Sequence, residues 1–153
     1  MTSGGAAARP RLHEQQTEFG HLGRLLHEKH AARALAVALG GLGLERGDRV
    51  GTLCWNHLVH HEAYLGIPSG GFVLHTLNLR LHPTDLAYIA RHAGDRAVIV
   101  DRSLLPLLER FKDNTDIEHV FVVEDGYEEL LASVDPNDWV DPGLDEGEAA
   151  AMC

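Results

Sequence analysis

The sequence is poor in the features that mark whole classes of protein. Its 153 residues hold two cysteines, Cys54 and Cys153, at no spacing used by a zinc ribbon, a redox pair or a disulfide framework. They read as reduced thiols in a cytoplasmic setting. No window holds the roughly 18 unbroken apolar residues of a membrane helix. The opening stretch MTSGGAAARPRLHEQQTE has no apolar core of the kind a secretory signal carries. G-x-G-x-x-G, H-E-x-x-H and G-x-S-x-G are all missing. Basic residues run out early: residues 1–100 carry 10 Lys/Arg against 8 Asp/Glu, and residues 101–153 carry 3 against 15. An acidic third without a basic stripe excludes nucleic acid as a natural partner. Histidine has the opposite bias, with ten of the 11 before residue 101.

What remains is ordinary globular material, 44% hydrophobic and 24% charged, enough for one modest core. Residues 1–18 are small, polar and unpatterned, and read as a disordered arm. From Phe19 to Leu39, apolar positions recur at three- and four-residue spacing, which predicts a helix ended by Gly40-Gly41. A strand follows at 49–55 (RVGTLCW). A helix over 57–65, capped by Asn56, is broken by Pro68-Ser69-Gly70-Gly71. FVLHTL (72–77) reads as a strand, and a helix capped at Thr84/Asp85 runs to Gly94. AVIV (97–100) has the continuous apolar pattern of a strand buried on both faces. Asp101 or Ser103 caps the helix SLLPLLERF, HVFVV (119–123) is a further strand, and GYEELLASV a short helix. Residues 135–148, with six acids, read as an acidic linker or loop. Alternating strands and helices predict an α/β fold: a parallel sheet with helices on both faces, over residues 19–134.

Three groups of residues invite a chemical role. His57, His60, His61 and Glu62 share helical spacing at which imidazoles converge on a metal; without a ligand motif, the plainer reading is partly exposed histidines and no metal. Asp101 follows a buried strand, where ligands gather in open α/β sheets, but a helix cap is the simpler role. His75, Thr76 and Asn78, in LHTLNLRLHP, fall at the carboxyl end of a strand. They are candidates to line a substrate crevice. The competing role is structural, with Asn78 holding a turn and Arg80 solvated. Trp55, Tyr64 and Trp139 read as packing residues, and no residue reads as catalytic.

From residue 31 onward the sequence resembles the N-terminal part of fatty-acyl-CoA synthetases, members of the adenylate-forming superfamily. The resemblance is carried by GDRV, WNH…HHEAYLGIP, VLHTLNLRLHP, LAYIARHAGDRAVIVD and YEELLA, in the family's order and spacing. It implies that the fold is an incomplete part of the family's N-terminal domain. It also implies that the parent enzyme joins a fatty acid or other carboxylic acid to ATP with Mg²⁺, as an acyl-adenylate, and then to coenzyme A. In the family, a segment like DEGEAAAMC (145–153) runs into a Tyr-Thr-Ser-Gly loop that handles the phosphates of ATP. The resemblance therefore implies that residues 135–153 end just before that loop, that cofactor-binding residues lie after Cys153, and that this chain binds no cofactor and is inactive alone. The alternatives are a non-catalytic binding or regulatory module that associates with full-length subunits, and a flavodoxin-like domain for an acidic metabolite. A sheet with open edges also implies a homodimer or other self-association.

Overall fold

The computed structural model describes residues 28–153. The expected arm and the front of the first helix lie outside them. The described part of the first helix, α1, covers residues 28–41. Then come β1 (Arg49–Leu53), α2 (Leu58–Ser69), β2 (Val73–Thr76), α3 (Pro83–Ala93), β3 (Asp95–Val100), α4 (Leu105–Glu109), β4 (His119–Val122), α5 (Tyr127–Ala132) and β5 (Ala151–Met152). All pairings are parallel, in the order β4-β3-β1-β2-β5. Two apolar clusters cover the faces. Leu35 and Leu39 of α1, Ala63 and Ile67 of α2 and Tyr127 of α5 pack on Val50, Leu74 and Ile99. Leu86 and Ala90 of α3 and Leu108 of α4 pack on Leu53, Val98 and Val100. The fold is thus a doubly wound parallel sheet between two helical layers. Among the described residues, no helix is long and apolar enough to cross a membrane.

Local details differ from the sequence expectations, each for a physical reason. The first helix passes Gly40, and the left-handed residue after it is Gly43, at φ 81°. His57, not Asn56, caps α2, its imidazole accepting from the His60 N–H. Pro68 sits inside α2, which continues to Ser69 because the proline falls in the last turn. At α3 the cap is His82, which leaves Pro83 free to open the helix. Trp55 and Tyr64 are not packed: they are 54% and 47% exposed. Trp139 is half-buried and does pack, under the Arg33 guanidinium at 4.8 Å, and donates to the Ser69 carbonyl at 2.9 Å.

The three central strands are joined by a buried polar contact. Gly51 of β1 lies between His75 of β2 and Val98 of β3. A register shift, with Val50 opposite Ala97 after Arg49 opposite Asp95, swings the Asp95 carboxylate over Gly51. There His75 Nδ1 stands 2.8 Å from both carboxylate oxygens. Asp95 is fully buried and His75 nearly so. Burial holds the Asp95 carboxyl above its ordinary range, and the His75 hydrogen bond draws it back. A Cβ on residue 51 would stand 3.3 Å from an Asp95 oxygen and 3.5 Å from the Ala97 carbonyl, so glycine gives the carboxylate room that a side chain would tighten by a few tenths of an ångström. Arg49 extends the knot, its guanidinium donating to the Ala93, Gly94 and Gly47 carbonyls.

Residues 135–153 fold back on the body. Arg46 pairs with Glu148 and donates to the Pro142 carbonyl at 2.9 Å, and Leu74 N–H donates to Ala150 O at 3.0 Å where β5 joins β2.

Two predictions follow from these contacts. His75→Leu leaves Asp95 buried without its partner and should cost about 3 kcal/mol in urea unfolding; adding Asp95→Leu should recover most of that loss. The Arg46 hydrogen bond lowers Glu148 from the ordinary 4.5 to about 2. Its contribution is therefore complete above about pH 4.5 and is lost as pH falls toward 2. The amide-exchange protection factors of residues 149–152, corrected for intrinsic exchange, should fall across that window, and Glu148→Gln should remove the dependence.

Candidate functional site

In a doubly wound sheet, a crevice opens where neighbouring strands send their connections to opposite faces. Here β1 leads to α2 on one face, and its neighbour β3 leads to α4 on the other. The switch point therefore lies over the carboxyl ends of β1 and β3, at residues 54–57 and 101.

Asp101 organises this point. It is buried, and the helical turn after it takes no side-chain cap from it. The carboxylate instead accepts from Trp55 N–H at 2.6 Å and meets His57 Nε2 at 2.7 Å. It thus ties the end of β3 to the end of β1 and to the N-terminus of α2. The Cys54 thiol donates to the Ile99 carbonyl at 3.4 Å. Burial first, and the Asp101 charge second, push that thiol up to about 12. It is no nucleophile at neutral pH.

Beside it lies a cleft of about 720 Å³, lined by Cys54, Trp55, Asn56, residues 76–80 and Cys153. The structure separates the three candidate residues. Thr76 lines the cleft, its hydroxyl 3.6 Å from Cys153 Sγ. Asn78 lines it too, and its side chain also accepts from Arg80 N–H at 3.0 Å, holding the turn. His75 does not reach the cleft and is committed to Asp95 beneath it. The lining contains one cation, Arg80, and no carboxylate or imidazole. Such a surface offers no general base, and a single positive charge against the several negative oxygens of a polyanion.

The histidines of α2, His57, His60 and His61, line one shallow hollow, but they do not form a ligand set with one another. His60 Nε2 meets Thr52 Oγ1 at 3.1 Å, and burial, then His57, lowers its pKa. Glu62 is buried and accepts from the Tyr127 hydroxyl at 3.3 Å; burial, then that carboxylate, raises the tyrosine's pKa. Among the described residues, the one set of at least three groups close enough to share an ion is Cys54, His57 and Asp101. Sequence spacing misses it because 47 positions separate Cys54 from Asp101. The signal was there in part: each follows a strand, and the strand order makes those strands neighbours.

The thiol assignment is directly testable. A thiol reagent at pH 8 should modify the exposed Cys153 and spare Cys54, giving one reactive thiol per native chain. Rapid modification of two would contradict it.

Comparison with known proteins follows the same lines. The family model described as AMP-binding enzyme matches residues 28–153. A 3-methylmercaptopropionyl-CoA ligase of Ruegeria lacuscaerulensis is 38% identical over 137 residues, covering 80% of this chain and 25% of the relative. A long-chain-fatty-acid–CoA ligase of Thermus thermophilus is 44% identical over 108 residues, covering 65% of this chain and 20% of the relative. The crystal structure of a benzoate CoA ligase from Burkholderia xenovorans superposes with a TM-score of 0.75 over 81% of this chain and 26% of that one, at 24% identity; that likeness bears on the fold. This chain spans a quarter or less of the length of these curated relatives.

Proposed function

This chain belongs to the AMP-binding enzyme family, and on that premise we propose that it forms the front α/β layer of an ATP-dependent fatty-acid–CoA ligase. The reaction would join the carboxyl group of a fatty acid to the thiol of coenzyme A, using ATP and Mg²⁺. The observation that carries this reading is the family match over every described residue. The relatives named for long- and medium-chain fatty acids support the choice of acid.

The lining of the cleft does not fit a nucleoside triphosphate and its metal. Such a group needs several phosphate donors and a carboxylate for Mg²⁺, and the cleft supplies Arg80 alone. We therefore assign no chemical step to these residues. Thr76 and Asn78 are proposed as part of a crevice wall, with His75 fixing β2 from below. The 153 residues on their own should then bind weakly and catalyse nothing. The apolar outer face of α2, with Leu58, Tyr64 and Leu65 exposed, supports self-association as a further part of the proposal.

ATP–pyrophosphate exchange is the test. The 153-residue chain should show none with any fatty acid, whereas a protein of the relatives' length that carries this sequence should show exchange with a fatty acid. Exchange by the short chain would overturn the assignment of chemistry to other residues. A long protein inert toward every fatty acid would overturn the choice of substrate.

A further inference from the structure

We propose that Cys54, His57 and Asp101 form a binding site for one borderline divalent transition metal ion, zinc by its donor chemistry, at the β1/β3 switch point. The thiol sulfur, an imidazole nitrogen and a carboxylate oxygen all lie within 4.8 Å of one another. They come from three separate segments: the end of β1, the N-cap of α2 and the residue after β3. A sulfur, nitrogen and oxygen set suits zinc and its neighbours; magnesium and calcium take oxygen donors.

The site is built ahead of any ion. Trp55 N–H holds Asp101 Oδ2 at 2.6 Å, so the carboxylate is oriented, and its other oxygen faces His57 Nε2 at 2.7 Å. Cys54 and Asp101 are buried, while the His57 side chain is 32% exposed. His57 opens into a hollow of about 310 Å³ shared with His60, His61 and Tyr64, and Cys54 lines the cleft on the other side. An ion has a way in, and a water can complete its coordination.

Charge favours the ion. A thiolate and a carboxylate buried together repel, and in the metal-free protein the thiol stays protonated. A divalent cation neutralises both. Without metal, His57 Nδ1 accepts from His60 N–H at 3.4 Å, a hydrogen-bond pattern that leaves the ring proton on Nε2, facing Asp101. On binding, Nε2 gives its lone pair to the ion, the ring proton moves through solvent to Nδ1, and the weak cap is given up. The thiol proton leaves to solvent. Each ion bound therefore releases one proton per chain.

Cobalt(II) titration of the reduced 153-residue chain tests this. We expect a thiolate-to-cobalt charge-transfer band in the near ultraviolet, saturating at one ion per chain and displaced by zinc. Calorimetry in two buffers of different ionisation heat should give one proton released per ion. Cys54→Ser should abolish the band and weaken zinc at least about tenfold, and Asp101→Asn should weaken zinc in the same direction. Cys153→Ser and His119→Ala should leave both band and affinity in place. Circular dichroism checks that each variant is folded; if Asp101→Asn is not, Cys54→Ser and His57→Ala decide. No charge-transfer band in the parent chain, a band that follows Cys153, or zinc affinity unchanged by Cys54→Ser would overturn the proposal and leave only binding to scattered histidines.

Discussion

The buried His75–Asp95 pair is the contact on which the rest of the structure turns. A parallel sheet covered on both faces has little room for charge, yet an imidazole and a carboxylate meet at its centre. Three features make this possible together. Gly51 leaves the space, the irregularity at the start of β3 aims the carboxylate, and β2 carries His75 at the register that faces it. A residue slip in either flanking strand would strand one partner without the other. The pair therefore fixes the alignment of β1, β2 and β3, and that alignment sets what stands at their carboxyl ends.

Those ends carry a division of labour. On the β2 side the cleft has a wall of Trp55, Thr76, Leu77, Asn78 and Leu79 with one arginine, poor in groups that move protons. At the β1/β3 switch point the buried donors Cys54 and Asp101 gather with His57. Membership of the AMP-binding enzyme family accounts for the architecture. The donor cluster is a property of this chain's own residues at that point of the fold.

Much of the fold could be read from the residues, because each strand is a short apolar run between turn residues. AVIV had to be buried on both faces, and it is the heart of β3. The role of Asp101 could not be read, because a carboxylate after a strand looks the same whether it caps a helix or holds a neighbouring strand. Choosing between those roles requires knowing that β1 lies beside β3, a long-range fact. His75 shows the same limit in reverse. Its position near the end of a strand suggested a crevice, and only the strand register shows it facing Asp95. Trp55 was misjudged because a large aromatic residue usually seeks cover, whereas here it stands exposed past the end of β1 with its indole N–H on Ser103 Oγ. Thr76 and Asn78 were singled out together with His75 because all three fall at the carboxyl end of a strand, a rule that does not tell which of them line the cleft.

If the buried pair holds the sheet in register, β1 and the strands on either side of it are the last part of the molecule to open. Native-state amide hydrogen exchange under low denaturant tests this most directly. The slowest amides should be those of residues 50–53, 74–76 and 97–100, exchanging together at the global unfolding free energy, with β4 and β5 opening earlier. If instead β4 or the α1 layer were slowest, or β1 and β2 exchanged independently of β3, the buried pair would not be what holds the sheet in register.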